Sequence, residues 1–176
     1  MEANQPPRTI APATRAEARE ALELLFSRLA PKAREEQVAA LFAALLSGEI
    51  PLGGLWTARR GSRLVGAALA QVQPGRTALV WMPRLIDGEP AATGQALLGS
   101  VDEMLAAAGV VVANMLPAEP AASDRALLRA AGYRHLARLH YLASPRGEFP
   151  SEPPESPLRF EGYSTENHKR LTAVVE

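Results

Sequence analysis

Apolar residues recur at helical spacing over the first fifty positions. In "TRAEAREALELLFSRLA", Leu22, Leu25, Phe26 and Leu29 form one stripe. Thr14 and Glu17 at its head have capping-box spacing: the hydroxyl accepts from the N–H three residues on, and the carboxylate reaches back. Pro31 breaks this helix. A second helix is predicted in "AREEQVAALFAALLSGEI", where Val38, Leu41, Phe42, Leu45 and Leu46 share a face and Gly48 is the stop. The period then changes. "GLWTARRGSRLVGAALAQVQPGRTALVWMPRLI" has no sustained helical stripe. Arg60-Gly61-Ser62 reads as a hairpin turn, and Pro74-Gly75 suits the centre of a type II turn. Three antiparallel strands follow, about Leu55–Arg59, Arg63–Val72 and Thr77–Arg84.

Helical spacing returns in "TGQALLGSVDEMLAAAG". Leu97, Leu98, Val101, Met104, Leu105 and Ala108 line one side, and Gly109 ends it. The β-branched run "VVVANML" predicts a buried strand. "SDRALLRAAG" predicts a short helix with Ser123 as N-cap and Gly132 as stop, and "YRHLARLHYLA" a closing strand. Five prolines in "SPRGEFPSEPPESP" mark a linker. After it, "LRFEGYSTENHKRLTAVVE" has the plan of the opening "RTIAPATRAEAREALELL": short strand, polar cap, helix, with Leu171, Val174 and Val175 on one face. Two readings fit equally: the start of a second copy of the fold, or a terminal helix that docks back. The organisation is thus residues 1–144 as one domain, 145–158 as linker and 159–176 as a C-terminal segment.

Composition narrows the function classes. The chain has 176 residues, 47% of them hydrophobic, enough for one domain core. Its 19 Lys and Arg balance 19 Asp and Glu, so no net field draws nucleic acid or an anionic membrane. The absence of cysteine removes disulfides and thiolate chemistry. With only His135, His140 and His168 as histidines, no metal site is expected. "MEANQPPRT" has no apolar core of a secretory signal, and "LAAAGVVVANML" is too short to span a bilayer, so a soluble cytoplasmic protein is expected.

The order of elements is strand, two helices, three-stranded meander, helix, strand, helix, strand. This resembles the GNAT family of N-acetyltransferases, over about Arg8 to Ala143. Four stretches carry the resemblance. "RTIAPATRAE" is similar to the family's first strand and helix start. "LWTARRGSRLVGAALAQV" is similar to its hairpin, with Val65-Gly66 opening the next strand. "GEPAATGQALL" sits where the family has its pyrophosphate loop and following Leu-Leu. "DRALLRAAGYRHLARLHYL" is similar to its last helix, Gly-aromatic junction and strand.

The resemblance implies an α+β fold, a mixed and mostly antiparallel sheet flanked by helices. It implies that the fourth and fifth strands splay and that acetyl-CoA, as co-substrate, lies in the wedge. Backbone N–H groups near Met82–Arg84 would meet the developing oxyanion, and Ala92, Thr93, Gly94, Gln95 and Ala96 would bring small residues and free N–H groups to the pyrophosphate. The acceptor would be an amine of a small molecule or peptide. Some family positions are not kept. With Leu97-Leu98 on the family's Leu-Leu, Gly94 takes the second small position, Ala92 that of the first glycine, and Glu89 that of the usual Gln or Arg; an insertion lies around Ile86–Gly88. Glu89 sets an anion beside a phosphate site, unfavourable unless it turns to solvent. The family's frequent tyrosine acid falls on Leu128, and its asparagine near Ala121, so no catalytic acid or base is assigned. The alternative reading is a degenerate, non-catalytic GNAT domain that scaffolds or regulates a second catalytic domain, in cis or as a homodimer.

Other candidates have plainer meanings. Tyr133 reads as a core plug, Tyr141 as a packing residue of the last strand. His135 and His140 could be general bases by their pKa, but five residues apart on a strand they face opposite sides. Asp102 and Glu103 read as solvated. Trp56 and Trp81 read as packing on neighbouring strands, with Trp81 on the strand that flanks the thioester. Arg59, Arg60 and Arg63 read as a solvated hairpin tip.

Overall fold

Glycine and proline set the sheet. Gly61 takes φ 60° between two strands, and Gly75 takes φ 80° after Pro74, as a type II turn requires. The next residue, Arg76, is also left-handed at φ 60°, so the second connection runs to three residues. The strands so joined are β2 (Leu55–Arg60), β3 (Arg63–Gln73) and β4 (Thr77–Leu85), each within one residue of its predicted bounds. In the computed structural model, which describes residues 6–117, 119–138, 162, 164–168 and 170, they form the centre of a five-stranded sheet. β1 (Arg8–Pro12) pairs antiparallel with β2, and β5 (Val112–Asn114) pairs parallel with β4, giving the order β1-β2-β3-β4-β5. The α+β class, with a mixed and mostly antiparallel sheet, is as expected.

Helices cover both faces. α1 (Ala18–Leu25) and α2 (Pro31–Ser47) bury Leu22, Leu25, Val38, Leu41 and Leu45 against Leu55, Ala67 and Leu69. α3 (Ala91–Ala107) buries Leu97, Leu98, Val101 and Leu105 against Ala58, Val65, Ala68, Ala70, Ala78 and Val80. Burying a leucine side chain contributes about 2 kcal/mol, so these two layers supply most of the stabilisation. α1 ends at Leu25, six residues before Pro31, so Pro31 does not break it as expected; Pro31 opens α2 at its first turn, where its missing N–H has no ladder partner to lose. Gly48 closes α2 at φ 80°. At α1 only half of the box forms. The Glu17 carboxylate accepts from the Thr14 N–H at 2.8 Å, but the Thr14 hydroxyl also donates to that carboxylate instead of accepting from the helix.

Other expectations are corrected. Leu29 falls beyond the end of α1 and Leu46 lies near the end of α2, and both stay exposed. α4 (Ala122–Ala130) starts before Ser123; Ala121 is its N-cap, and Asp124 reaches back to the Ala121 N–H at 3.1 Å. The run "VVVANML" yields a strand of three residues, and Val111, Val112 and Leu116 are exposed, because β5 has a strand on one side only. Residues 133–138 of the expected closing strand are in no strand. Trp56 and Trp81 are separated by β3. The remainder of that closing segment with His140 and Tyr141, the 145–158 linker, and Leu171, Val174 and Val175 lie outside the described residues. Within the C-terminal segment, the Ser164 N–H donates to Asn167 Oδ1 at 2.9 Å and the Asn167 N–H to Ser164 Oγ at 3.3 Å, the polar helix cap its sequence suggested.

Two glycines are demanded by close approach. A Cβ on Gly66 of β3 would lie 2.7 Å from a Leu85 methyl and 2.9 Å from a Leu97 methyl, so its absence lets α3 and β4 close over the strand. On Gly54 a Cβ would lie 2.1 Å from the Ala70 carbonyl oxygen, a backbone atom that has no rotamer to escape into. We expect Gly54→Ala to lower stability by on the order of 3 kcal/mol. The adjacent Gly53→Ala, with nothing within 4 Å, should leave it near wild type. Urea unfolding of the two variants measures the difference; equal midpoints would refute the contact.

Candidate active site

β4 and β5 pair over Thr77–Leu79 and Val112–Asn114 and no further. The cause of the separation is written in β4. Leu69 of β3 faces Trp81, but Ala67 faces Arg84, so Met82 and Pro83 together oppose one residue, Ala68. This is a β-bulge, which bends the strand and raises its twist. Pro83 also lacks the N–H that a ladder would use. From Val80 onward the outer edge of β4 has no strand partner among the described residues.

The gap is a cleft of about 400 Å³. Val80, Trp81, Met82 and Arg84 form its floor, the end of α1 with Leu25, Phe26, Arg28 and Leu29 one wall, and the segment from Met115 to Asp124 the other. Asp124, in the first turn of α4, ties the walls together. Its Oδ2 accepts from Arg28 Nη1 at 2.7 Å and from the Ala121 N–H at 3.1 Å, and its Oδ1 lies 3.5 Å from Arg84 Nη1. Burial alone would raise the Asp124 carboxyl, but the Arg28 and Ala121 hydrogen bonds and the charges of Arg28 and Arg84 outweigh it and hold it below the usual range. Sequence reading missed Arg28 and Asp124. They stand 96 positions apart, and no local pattern links them.

Of the expected site residues, Met82 and Arg84 lie in this cleft. The other five lie at the start of α3 and are helical. The loop ends sooner than predicted, with Pro90 as N-cap, so Gly94, Gln95 and Ala96 are past the first turn. The N–H groups nearest the helix start are those of Ala91 and Ala92, and no side chain caps them. The Thr93 N–H goes to the Pro90 carbonyl at 2.9 Å. Thr93 and Gly94 are buried; a Cβ on Gly94 would meet the two Leu127 methyls at 3.0 and 3.2 Å, so its smallness serves the α3–α4 contact.

Glu89 does not turn to solvent. Its side chain is 4% exposed, held by Arg60 through Nε and Nη2 at 3.1–3.2 Å. Thr93 Oγ1 donates to it and in turn accepts from Arg8 Nη1 at 3.2 Å. Burial pushes the Glu89 carboxyl up, but the Arg60 and Thr93 hydrogen bonds and the charges of Arg60 and Arg8 win and hold it below its usual value. The anion is therefore already paired, and Arg60 is not a solvated hairpin-tip residue.

The remaining candidates are structural. Leu128 packs against the α3-side core, which leaves the acid slot without a proton donor. Tyr133 packs there too, but its hydroxyl donates to Asp102 Oδ1 at 3.0 Å, so Asp102 is not solvated as expected. Burial raises the Asp102 carboxyl, partly offset by that bond. Burial, then the Asp102 charge, raises the Tyr133 phenol well above its ordinary value, so it stays protonated. His135 is exposed and lies outside the sheet.

Glu89→Gln should cost about 2 kcal/mol at neutral pH, the loss of a buried charge-assisted bond. A carboxylate with a lowered native pKa stabilises above its unfolded pKa and loses that contribution as pH falls through the native one. The variant should therefore show a shallower loss of stability below about pH 4 than wild type. Identical pH profiles would show that the Glu89–Arg60 pair contributes nothing. Gly94→Ala gains helix propensity and displaces a flexible leucine end, so its midpoint should move by less than about 1 kcal/mol.

No protein-family model matches the sequence, and no curated protein matches it. Solved structures do match in fold. An aminoglycoside antibiotic 6'-N-acetyltransferase from Acinetobacter haemolyticus superposes with a TM-score of 0.61 at 11% identity, covering 78% of this chain and 98% of that one. The ribosomal-protein-S18-alanine N-acetyltransferase from Escherichia coli gives 0.57 at 17% identity, over 74% and 80%. A GCN5-related N-acetyltransferase from Kribbella flavida gives 0.54 at 17%, over 73% of this chain and 33% of that one. With the split between β4 and β5 and the helix following β4, these likenesses establish that the chain has the fold of the GNAT N-acetyltransferases.

Proposed function

We propose that the chain binds acetyl-CoA in the cleft beside β4 and transfers the acetyl group to an amine. The observation that carries this is the open edge of β4 beyond Leu79, next to the uncapped start of α3. The edge N–H and C=O groups can pair with the amides of an extended arm, as an added strand would. The N–H groups of Ala91 and Ala92, with only methyl side chains around them, suit the pyrophosphate at the positive end of the helix. The amine nitrogen attacks the thioester carbonyl; the C–N bond forms, the C–S bond breaks, and CoA leaves as thiolate. Met82 and Arg84 can offer N–H groups to the oxyanion, whereas Pro83 between them cannot. With no proton donor at Leu128, water can accept the ammonium proton and protonate the thiolate. The solved neighbours named for an aminoglycoside and for a ribosomal-protein alanine show that this fold by itself does not choose the acceptor.

The second reading is a domain that binds without turnover, supporting a second GNAT-like domain in cis or in a homodimer. Leu128 in the core is the observation that favours it.

Calorimetric titration of the full chain with acetyl-CoA should show saturable binding. Leu116→Trp, at an exposed position on the cleft wall, should weaken it by roughly tenfold or more, equivalent to about 1.4 kcal/mol, without changing the far-ultraviolet circular dichroism. No heat at millimolar acetyl-CoA would remove the proposal. Binding without thiol release across a panel of amines would select the second reading.

A further inference from the structure

The cleft holds a cation that meets one carboxylate among the described residues. Arg84 is the first residue after the bulge, and its side chain is 19% exposed. A guanidinium has five N–H donors in a planar fork. Among the described residues its ion-pair partner is Asp124, at 3.5 Å, too long for a good hydrogen bond. Oδ2 of Asp124 is taken by Arg28 and the Ala121 N–H, so Arg84 has only Oδ1 to meet. Two guanidiniums thus converge on one carboxylate, and Arg84 is the under-bonded member, facing the cleft. A partly buried guanidinium facing a cleft can pair with an anion from solution through short charge-assisted hydrogen bonds.

We propose that Arg84, which shares Asp124 with Arg28, is a subsite for a carboxylate carried by one of the two substrates. This inference rests on the acyl-transfer reading and names the substrate class. The resident Asp124 shows that the guanidinium pair accepts a carboxylate, and a second one reaches the face of Arg84 that Asp124 leaves open. The carboxylate belongs either to the acceptor, as in an amino acid, or to the far end of a dicarboxylic acyl group. Burial first, and then the charge of Arg28, lower the Arg84 pKa from its ordinary value against the opposing pull of Asp124; the group remains charged at neutral pH.

Titration of the full chain with matched probes tests both sources. N-acetylglycine against N-acetylglycinamide reads the acceptor side; succinyl-CoA against acetyl-CoA reads the acyl side. In one pair the carboxylate member should bind roughly tenfold or more tightly than its neutral partner. Arg84→Gln should abolish that preference, and Arg84→Lys should restore part of it. Asp124→Asn, checked for folding by circular dichroism, should strengthen carboxylate binding because it removes the internal competitor. Equal affinities within both pairs, or a preference that survives Arg84→Gln, would overturn the subsite. Acetyl-CoA binding with equal affinities sinks the subsite and spares the transferase reading. A preference for N-acetylglycine that needs Arg84, with no acetyl-CoA binding, does the reverse.

Discussion

Three residues of parallel pairing, Thr77–Leu79 against Val112–Asn114, hold the cleft open by ending where they do. A longer ladder would have sealed β4 into the sheet and left no site. The bulge at Met82–Pro83 turns the strand away from its neighbour, and the proline withholds a donor from any ladder that might reform. An edge strand with open hydrogen-bonding groups is a hazard in an ordinary sheet. Each buried backbone group left without a partner costs about 1–3 kcal/mol, so this edge must meet water or a ligand. The same geometry therefore accounts for the sheet ending and for the ability to take an extended, amide-bearing molecule.

Ion pairs link two helix starts to the sheet and to α1. Two separate clusters share one design. Glu89 joins Arg60, Thr93 and Arg8, tying the start of α3 to the ends of β1 and β2. Asp124 joins Arg28 and Arg84, tying the start of α4 to α1 and β4. In each, a carboxylate beside a helix start is hydrogen-bonded by a guanidinium, feels the charge of a second one, and is held ionised below its usual pKa. Both clusters are therefore intact together at neutral pH and weaken together in acid. The residue that departs from the family at the expected phosphate loop is, in this chain, an anchor for the helix that follows.

The meander was legible because its information is local. Gly61 and Pro74-Gly75 stand at the turns, and the apolar runs between them carry no helical stripe. The divergence of β4 and β5 has no such local mark; it came from the resemblance in element order, since a bulge is a matter of register between two strands. The run Val110–Val112 was misread because its composition suits a buried strand, while its burial is decided by how many neighbours the strand acquires. The start of α3 was placed too late because small residues were weighed as loop, although Glu89-Pro90 ahead of two alanines was the available signal for a helix start. Glu89 was read as a repulsive charge because Arg60, 29 positions earlier, is next to it only in the fold.

Small residues at a helix start have two physical explanations, and the structure separates them residue by residue. Gly94 is small because Leu127 packs on it, with a methyl 3.0 Å from where its Cβ would be. Ala92 is exposed and touches no such neighbour, so its smallness answers to nothing in the core. The N–H groups that an anion could reach belong to Ala91 and Ala92, one turn before the glycine that first drew notice. Glu89 beside them does not forbid an anion, because at 3.1–3.2 Å from Arg60 it acts on its surroundings as half of an ion pair, whose field falls off faster than that of a lone charge. What that end of α3 offers an anion is the helix dipole and the N–H groups of Ala91 and Ala92, which no side chain caps among the described residues.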